Sequence, residues 1–84
     1  MRKTVLRKGE CVPTICGELE IVSNNGSGLF ACIYREYDGD GNVIDEEDKY
    51  LTAGDLDSYH REATGEIVRY ASYLAGEEED EEDL

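Results

Sequence analysis

The residues best suited to chemistry are few, and their spacing decides between them. Asp38-x-Asp40-x-Asn42 has the opening spacing of a calcium loop. Such a loop needs glycine at its sixth position and a bidentate glutamate at its twelfth. Those positions hold Val43 and Lys49, and a lysine places positive charge where the carboxylate belongs. Asp-Gly-Asp-Gly-Asn is better read as a tight hairpin turn, with divalent-cation binding as the lower alternative. Cys11, Cys16 and Cys32, with His60 as the only histidine, lack the close ligand pairs of structural zinc sites. Three is an odd number, so a Cys11–Cys16 or Cys16–Cys32 disulfide would leave one thiol over. Free thiols in a reducing compartment, acting as small buried hydrophobes, are the expectation. Cys16 with His60 as its base is the only nucleophile arrangement available, and His60 falls among apolar residues at helical spacing, as a half-buried core histidine does. No nucleophile elbow or phosphate-binding loop is present. The expectation is a protein that is not an enzyme and carries no cofactor and no metal.

What remains is carboxylate. The 84 residues hold 21 Asp and Glu against 8 Lys and Arg, a net charge of −13. Direct nucleic-acid binding needs a basic footprint and adsorption to anionic membranes needs clustered lysine or arginine, so both are excluded as modes of action. The charge is also uneven. Residues 1–35 carry a net +2 and residues 36–84 a net −15. Two groups stand out as candidate partner-binding residues. Asp45, Glu46, Glu47 and Asp48 are consecutive. Asp55, Glu62, Glu66 and Tyr73 project within about 40° of one another on a helical wheel.

These groups need elements to hold them. Glu18 to Val22 alternates charged and apolar residues, the Asn- and Gly-rich stretch 24–28 is turn chemistry, and Leu29 to Tyr37 is rich in β-formers. A second turn at 38–42 leads into a third, acidic strand from Val43 to Tyr50. Together they predict an antiparallel meander. Thr4–Leu6 or Cys11–Ile15 adds a fourth strand. Thr52 is placed to N-cap a helix with Asp55 at the third position of a capping box. Beyond it, Leu56, Tyr59, His60, Ala63, Ile67, Tyr70, Ala71 and Leu74 share an arc of about 120°, predicting a helix over 53–75. Gly65 interrupts that pattern opposite the arc, and Gly76 stops it. The expected architecture is α+β: one domain over 1–76, a small antiparallel sheet of three to four strands with one long C-terminal helix packed on it. Residues 77–84, EEEDEEDL, are expected to be a disordered acidic tail. With no apolar run of spanning length and no leader-like h-region, the expected location is the cytoplasm.

In size, charge, tyrosine content and sheet-plus-helix layout the chain resembles, in kind, the small acidic proteins with which phages and mobile elements block bacterial defence, the anti-CRISPR and anti-restriction DNA mimics. The resemblance implies a non-enzymatic inhibitor, active in the host cytoplasm as a monomer or small homo-oligomer. Its partner would be a basic nucleic-acid-binding defence effector, and rows of carboxylates would occupy a groove built for phosphate. The alternative from composition alone is a generic acidic interaction module or adaptor.

Overall fold

A computed structural model of the chain describes residues 3–25 and 28–75. Six strands and one helix follow in the order β1 (Lys3–Leu6), β2 (Cys11–Pro13), β3 (Gly17–Asn24), β4 (Leu29–Tyr37), β5 (Val43–Thr52), α1 (Ala53–Thr64) and β6 (Arg69–Leu74). β2, β3, β4 and β5 form a four-stranded antiparallel sheet in that spatial order, and β1 pairs with β6 in a two-stranded parallel sheet. The α+β class and the meander through β3, β4 and β5 agree with the sequence. Both candidate extra strands form, but only β2 joins the meander.

Alternation along the strands sorts the sheet into two faces. One row, built from Val12, Leu19, Ile21, Phe30 and Cys32, is buried and meets Leu6, Leu56, Tyr70 and Leu74 from the other elements. Tyr34, Leu51, Ala53, Tyr59 and Val68 pack around it. The helix contacts β2, β5 and β6, so helix and parallel pair together close this face. The reverse face carries Glu18, Glu20, Ala31, Ile33, Arg35, Glu46, Asp48 and Tyr50, all partly or fully exposed. The hairpin of β4 and β5 runs on beyond the core, in a molecule 46 Å long and 17 Å thick.

Gly17 is fixed by strand approach. A Cβ built there would stand 1.8 Å from the Arg35 carbonyl oxygen, so only glycine lets β3 reach β4 at this point.

The long helix over 53–75 is not formed. Its start is as expected: Asp55 N–H donates to Thr52 Oγ1 and Thr52 N–H to Asp55 Oδ2, each at 3.1 Å. Its end comes at Gly65, which takes a left-handed φ of 81° and donates its N–H to the Arg61 carbonyl at 2.7 Å. The chain then extends into β6. The helical spacing of the apolar residues misleads here for a definite reason. Two steps along β1, from Thr4 to Leu6, match four along β6, from Tyr70 to Leu74. The irregularity buries Tyr70, Ala71 and Leu74, an i, i+1, i+4 pattern that a helix also shows. Ile67, on the same supposed arc, is 62% exposed. Asp57 ties the two elements together, its Oδ1 accepting the Tyr70 N–H at 2.7 Å.

No helix of the described residues is long and apolar enough to cross a membrane. Residues 77–84, expected as a tail, lie outside the described residues.

Candidate acidic interface

β5 ends up at the sheet edge because its sequence allows nothing else. Asp45 to Asp48 puts carboxylates on both faces, which a central strand could not hold, and charge on an edge strand deters pairing with further chains. All four side chains are exposed. Register divides them. Asp45 lies opposite Glu36 and Glu47 opposite Tyr34, on the core-side face beyond the core. Glu46 lies opposite Arg35 and Asp48 opposite Ile33, on the open face.

Arg35 organises its end of that open face. Its Nε donates to Glu46 Oε2 at 2.7 Å, Nη2 stands 2.7 Å from Glu20 Oε1, and Nη1 is 3.4 Å from Glu18 Oε2. One guanidinium thus bridges three strands. The bonds to Glu20 and Glu46 hold it even more firmly protonated than a free arginine. Tyr37 Oη donates to the same Glu18 oxygen at 2.9 Å, and that bond raises the phenol above its ordinary value. On the other face Lys49 stands 3.6 Å from Glu47 and 5.8 Å from the centroid of the Tyr34 ring. No cation of the described residues reaches Asp48 or Asp45.

The turn that presents this strand closes on itself. Asp38 Oδ1 accepts the N–H groups of Asp40 and Asn42, each at 2.9 Å, and Gly41 takes a φ of 87°. These bonds, that of Asn42 first, hold the Asp38 carboxyl below the usual carboxylate range. The hairpin-turn reading of 38–42 therefore agrees with the geometry. Among the described residues no three His, Cys, Asp or Glu side chains gather where they could hold a metal ion.

The second candidate group comes apart. Asp55 and Glu62 remain on α1, both exposed, but the Asp55 carboxylate is engaged in the cap. Glu66 follows Gly65, outside the helix, with Oε1 3.5 Å from His60 Nε2. Tyr73 sits on β6 and is 38% exposed. Once the helix stops at Gly65, no single helical stripe can carry all four. His60 is half-buried, as expected, with Nδ1 3.1 Å from Tyr70 Oη and the rings edge to face. Its two nitrogens thus face Tyr70 and Glu66 rather than Cys16.

Of the three free cysteines, only Cys32 is the buried hydrophobe expected, its thiol pushed up to about 11 by burial. Cys11 and Cys16 are exposed. The sequence reading missed the cluster of Glu18, Glu20 and Arg35. The signal was present in the spacing: Glu18 and Arg35 flank the Asn- and Gly-rich stretch about equally, Arg35 and Glu46 flank the turn at 38–42 likewise, and each pair stands opposite in the sheet. No family model, curated protein or solved structure matches the chain.

Proposed function

We propose that the protein is a non-enzymatic inhibitor whose acidic β4–β5 hairpin occupies the phosphate-binding surface of a basic nucleic-acid-binding protein, of the kind that defence effectors present. The observation that carries this reading is the edge strand with four consecutive exposed carboxylates. An antiparallel strand advances about 3.4 Å per residue. Each strand of duplex DNA presents one phosphate per about 3.4 Å of axis. Asp45 to Asp48 therefore carries one carboxylate per about 3.4 Å along the strand, divided by alternation so that each face offers a partner one per about 6.8 Å, every second phosphate position of a DNA strand. Aromatic side chains, Tyr37 and Tyr50 among them, add contact area at low entropic cost.

The test is competition. The full chain, immobilised and exposed to host lysate at low salt, should retain a basic nucleic-acid-binding protein that is released by rising salt and by excess duplex DNA. A partner that withstands both molar salt and excess DNA would overturn the mimicry and leave the protein an adaptor working through a hydrophobic contact.

A further inference from the structure

The open sheet face has two ends built from similar materials, and only one of them is filled. At one end Arg35 lies among the carboxylates of Glu18, Glu20 and Glu46. At the other, a groove of about 200 Å³ runs between β3, β4 and β5, lined by Val22, Ala31, Ile33, Asp48 and Tyr50 together with Cys32 and Lys49, and the Lys49 ammonium is turned away to Glu47 and the Tyr34 ring on the core-side face. Ala31, Ile33 and Arg35 are alternate residues of one strand and share this face. The groove therefore continues the line on which the chain's own arginine sits. Its floor is apolar, its wall is the Tyr50 ring, 65% exposed, and Asp48 stands two residues before that ring on the same side of β5.

Resting on the reading of the hairpin as an acidic docking surface, we infer that this groove receives one arginine side chain of the basic partner. The alkyl stem would lie on Val22 and Ile33, and the guanidinium would meet the Asp48 carboxylate and the face of Tyr50. Three observations commit the groove to that occupant. Its volume falls below the roughly 300–1,000 Å³ of small-molecule pockets, so it suits a single side chain better than a cofactor. Charge complementarity points to a cation: this face carries four carboxylates against one guanidinium, which meets three of them, and no cation of the described residues reaches Asp48. The protein also uses the same combination internally, on the core-side face, where Lys49 lies between the Tyr34 ring and Glu47. Arginine is favoured over lysine because its planar, weakly hydrated head stacks on a ring while donating to a carboxylate.

The experiment uses the full chain and two probes. The first is the tripeptide acetyl-Gly-Arg-Gly-amide, titrated against the backbone amide NMR spectrum, with the citrulline tripeptide as its neutral isostere. The arginine peptide should produce saturable shifts centred on Ile33, Asp48 and Tyr50, and the citrulline peptide should not. Asp48→Asn and Tyr50→Ala should each weaken the arginine peptide about three- to fivefold while the spectrum stays that of the folded chain. Saturable binding of the lysine analogue at equal strength, or of the citrulline peptide, would overturn the assignment to arginine.

The second probe, octa-arginine, separates the groove from the hairpin. Asp48→Asn should weaken it in parallel with the tripeptide. If octa-arginine is lost only on Asp45→Lys with Glu47→Lys, and Asp48→Asn and Tyr50→Ala bind it as wild type does, the groove is not the arginine site and the acidic hairpin reading stands alone. If the wild-type chain does not bind octa-arginine, the hairpin reading falls and takes the groove with it.

Discussion

The two ends of the open sheet face are an internal comparison. Around Arg35 the chain supplies its own cation, and three carboxylates from the two flanking strands become a structural clasp. Around Asp48 and Tyr50 it supplies none, and a carboxylate, a ring and an apolar floor stay open. Acidic residues on a surface therefore do not share one role. A carboxylate bound to a neighbour is part of the fold, and one without a partner is free to bind something else. Of the four consecutive acids on β5, Glu46 belongs to the first class, Glu47 leans toward it through Lys49, and Asp45 and Asp48 belong to the second.

The comparison can be broken most severely at the filled end. Gly17→Ala places a methyl group against the Arg35 carbonyl, and β3 must part from β4 where the clasp closes. A loss of about 3 kcal/mol is expected, read as a fall in the urea midpoint. Arg35→Met should come next. It leaves Glu18, Glu20 and Glu46 facing one another without their cation. The variant should unfold at lower urea than wild type in dilute buffer and recover part of the difference in molar salt, which screens the repulsion. Recovery in salt distinguishes lost charge from lost packing, which salt would not restore in this way.

At the open end the same experiments should show almost nothing. Asp48→Asn and Tyr50→Ala should leave the urea midpoint at the wild-type value, since neither side chain is buried or bonded within the fold. A large loss from either would move that residue into the clasp class and contradict the contrast drawn between the two ends.

The thiols probe the two faces separately. A thiol reagent should label Cys11 and Cys16 in the native protein and reach Cys32 only on unfolding, because Cys32 is 2% exposed on the core face. Cys11 should also label slowly for an exposed thiol. Partial burial, with Glu18 beside it, raises its pKa and lowers the thiolate fraction.

The smallest effect concerns the turn. The Asp38 carboxyl is depressed in the folded protein, so its contribution is fully present above the unfolded pKa and is lost as pH falls through the folded one. Carboxyl NMR should show Asp38 titrating below the ordinary aspartate value. Asp38→Asn should keep the turn while removing that pH dependence, since an amide oxygen accepts the same two N–H groups.

How much of this was legible in the sequence follows from which signals are local. The turn at 38–42, the cap at Thr52 and Asp55 and the bounds of β4 depend on neighbours a few residues away, and each is found where the sequence puts it. The C-terminal helix was misread because its evidence was periodicity alone. Leu56, Tyr59 and Ala63 are truly helical, while Tyr70, Ala71 and Leu74 are buried by a bulged parallel pairing with β1, more than sixty residues earlier in the chain. Gly65 followed by Ile67 and Val68 was the local sign of a change from helix to strand. The stripe of Asp55, Glu62, Glu66 and Tyr73 inherited the error. The acids of β5 were found because four in succession need no register to be noticed. The Arg35 clasp and the groove were not, because both exist only once three strands are aligned.

The central claim is that partner binding runs through the hairpin and not through the helix. The most direct measurement compares two charge-reversed proteins for affinity to the captured basic partner at fixed salt. Asp45→Lys with Glu47→Lys reverses the hairpin without touching the Arg35 clasp, and Glu62→Lys with Glu66→Lys reverses the region about the end of α1. At about 1–3 kcal/mol per reversed contact, the hairpin variant should bind roughly one to four powers of ten more weakly, and the helix variant should bind as wild type does. Equal binding by the hairpin variant, with loss confined to the helix variant, would contradict the account.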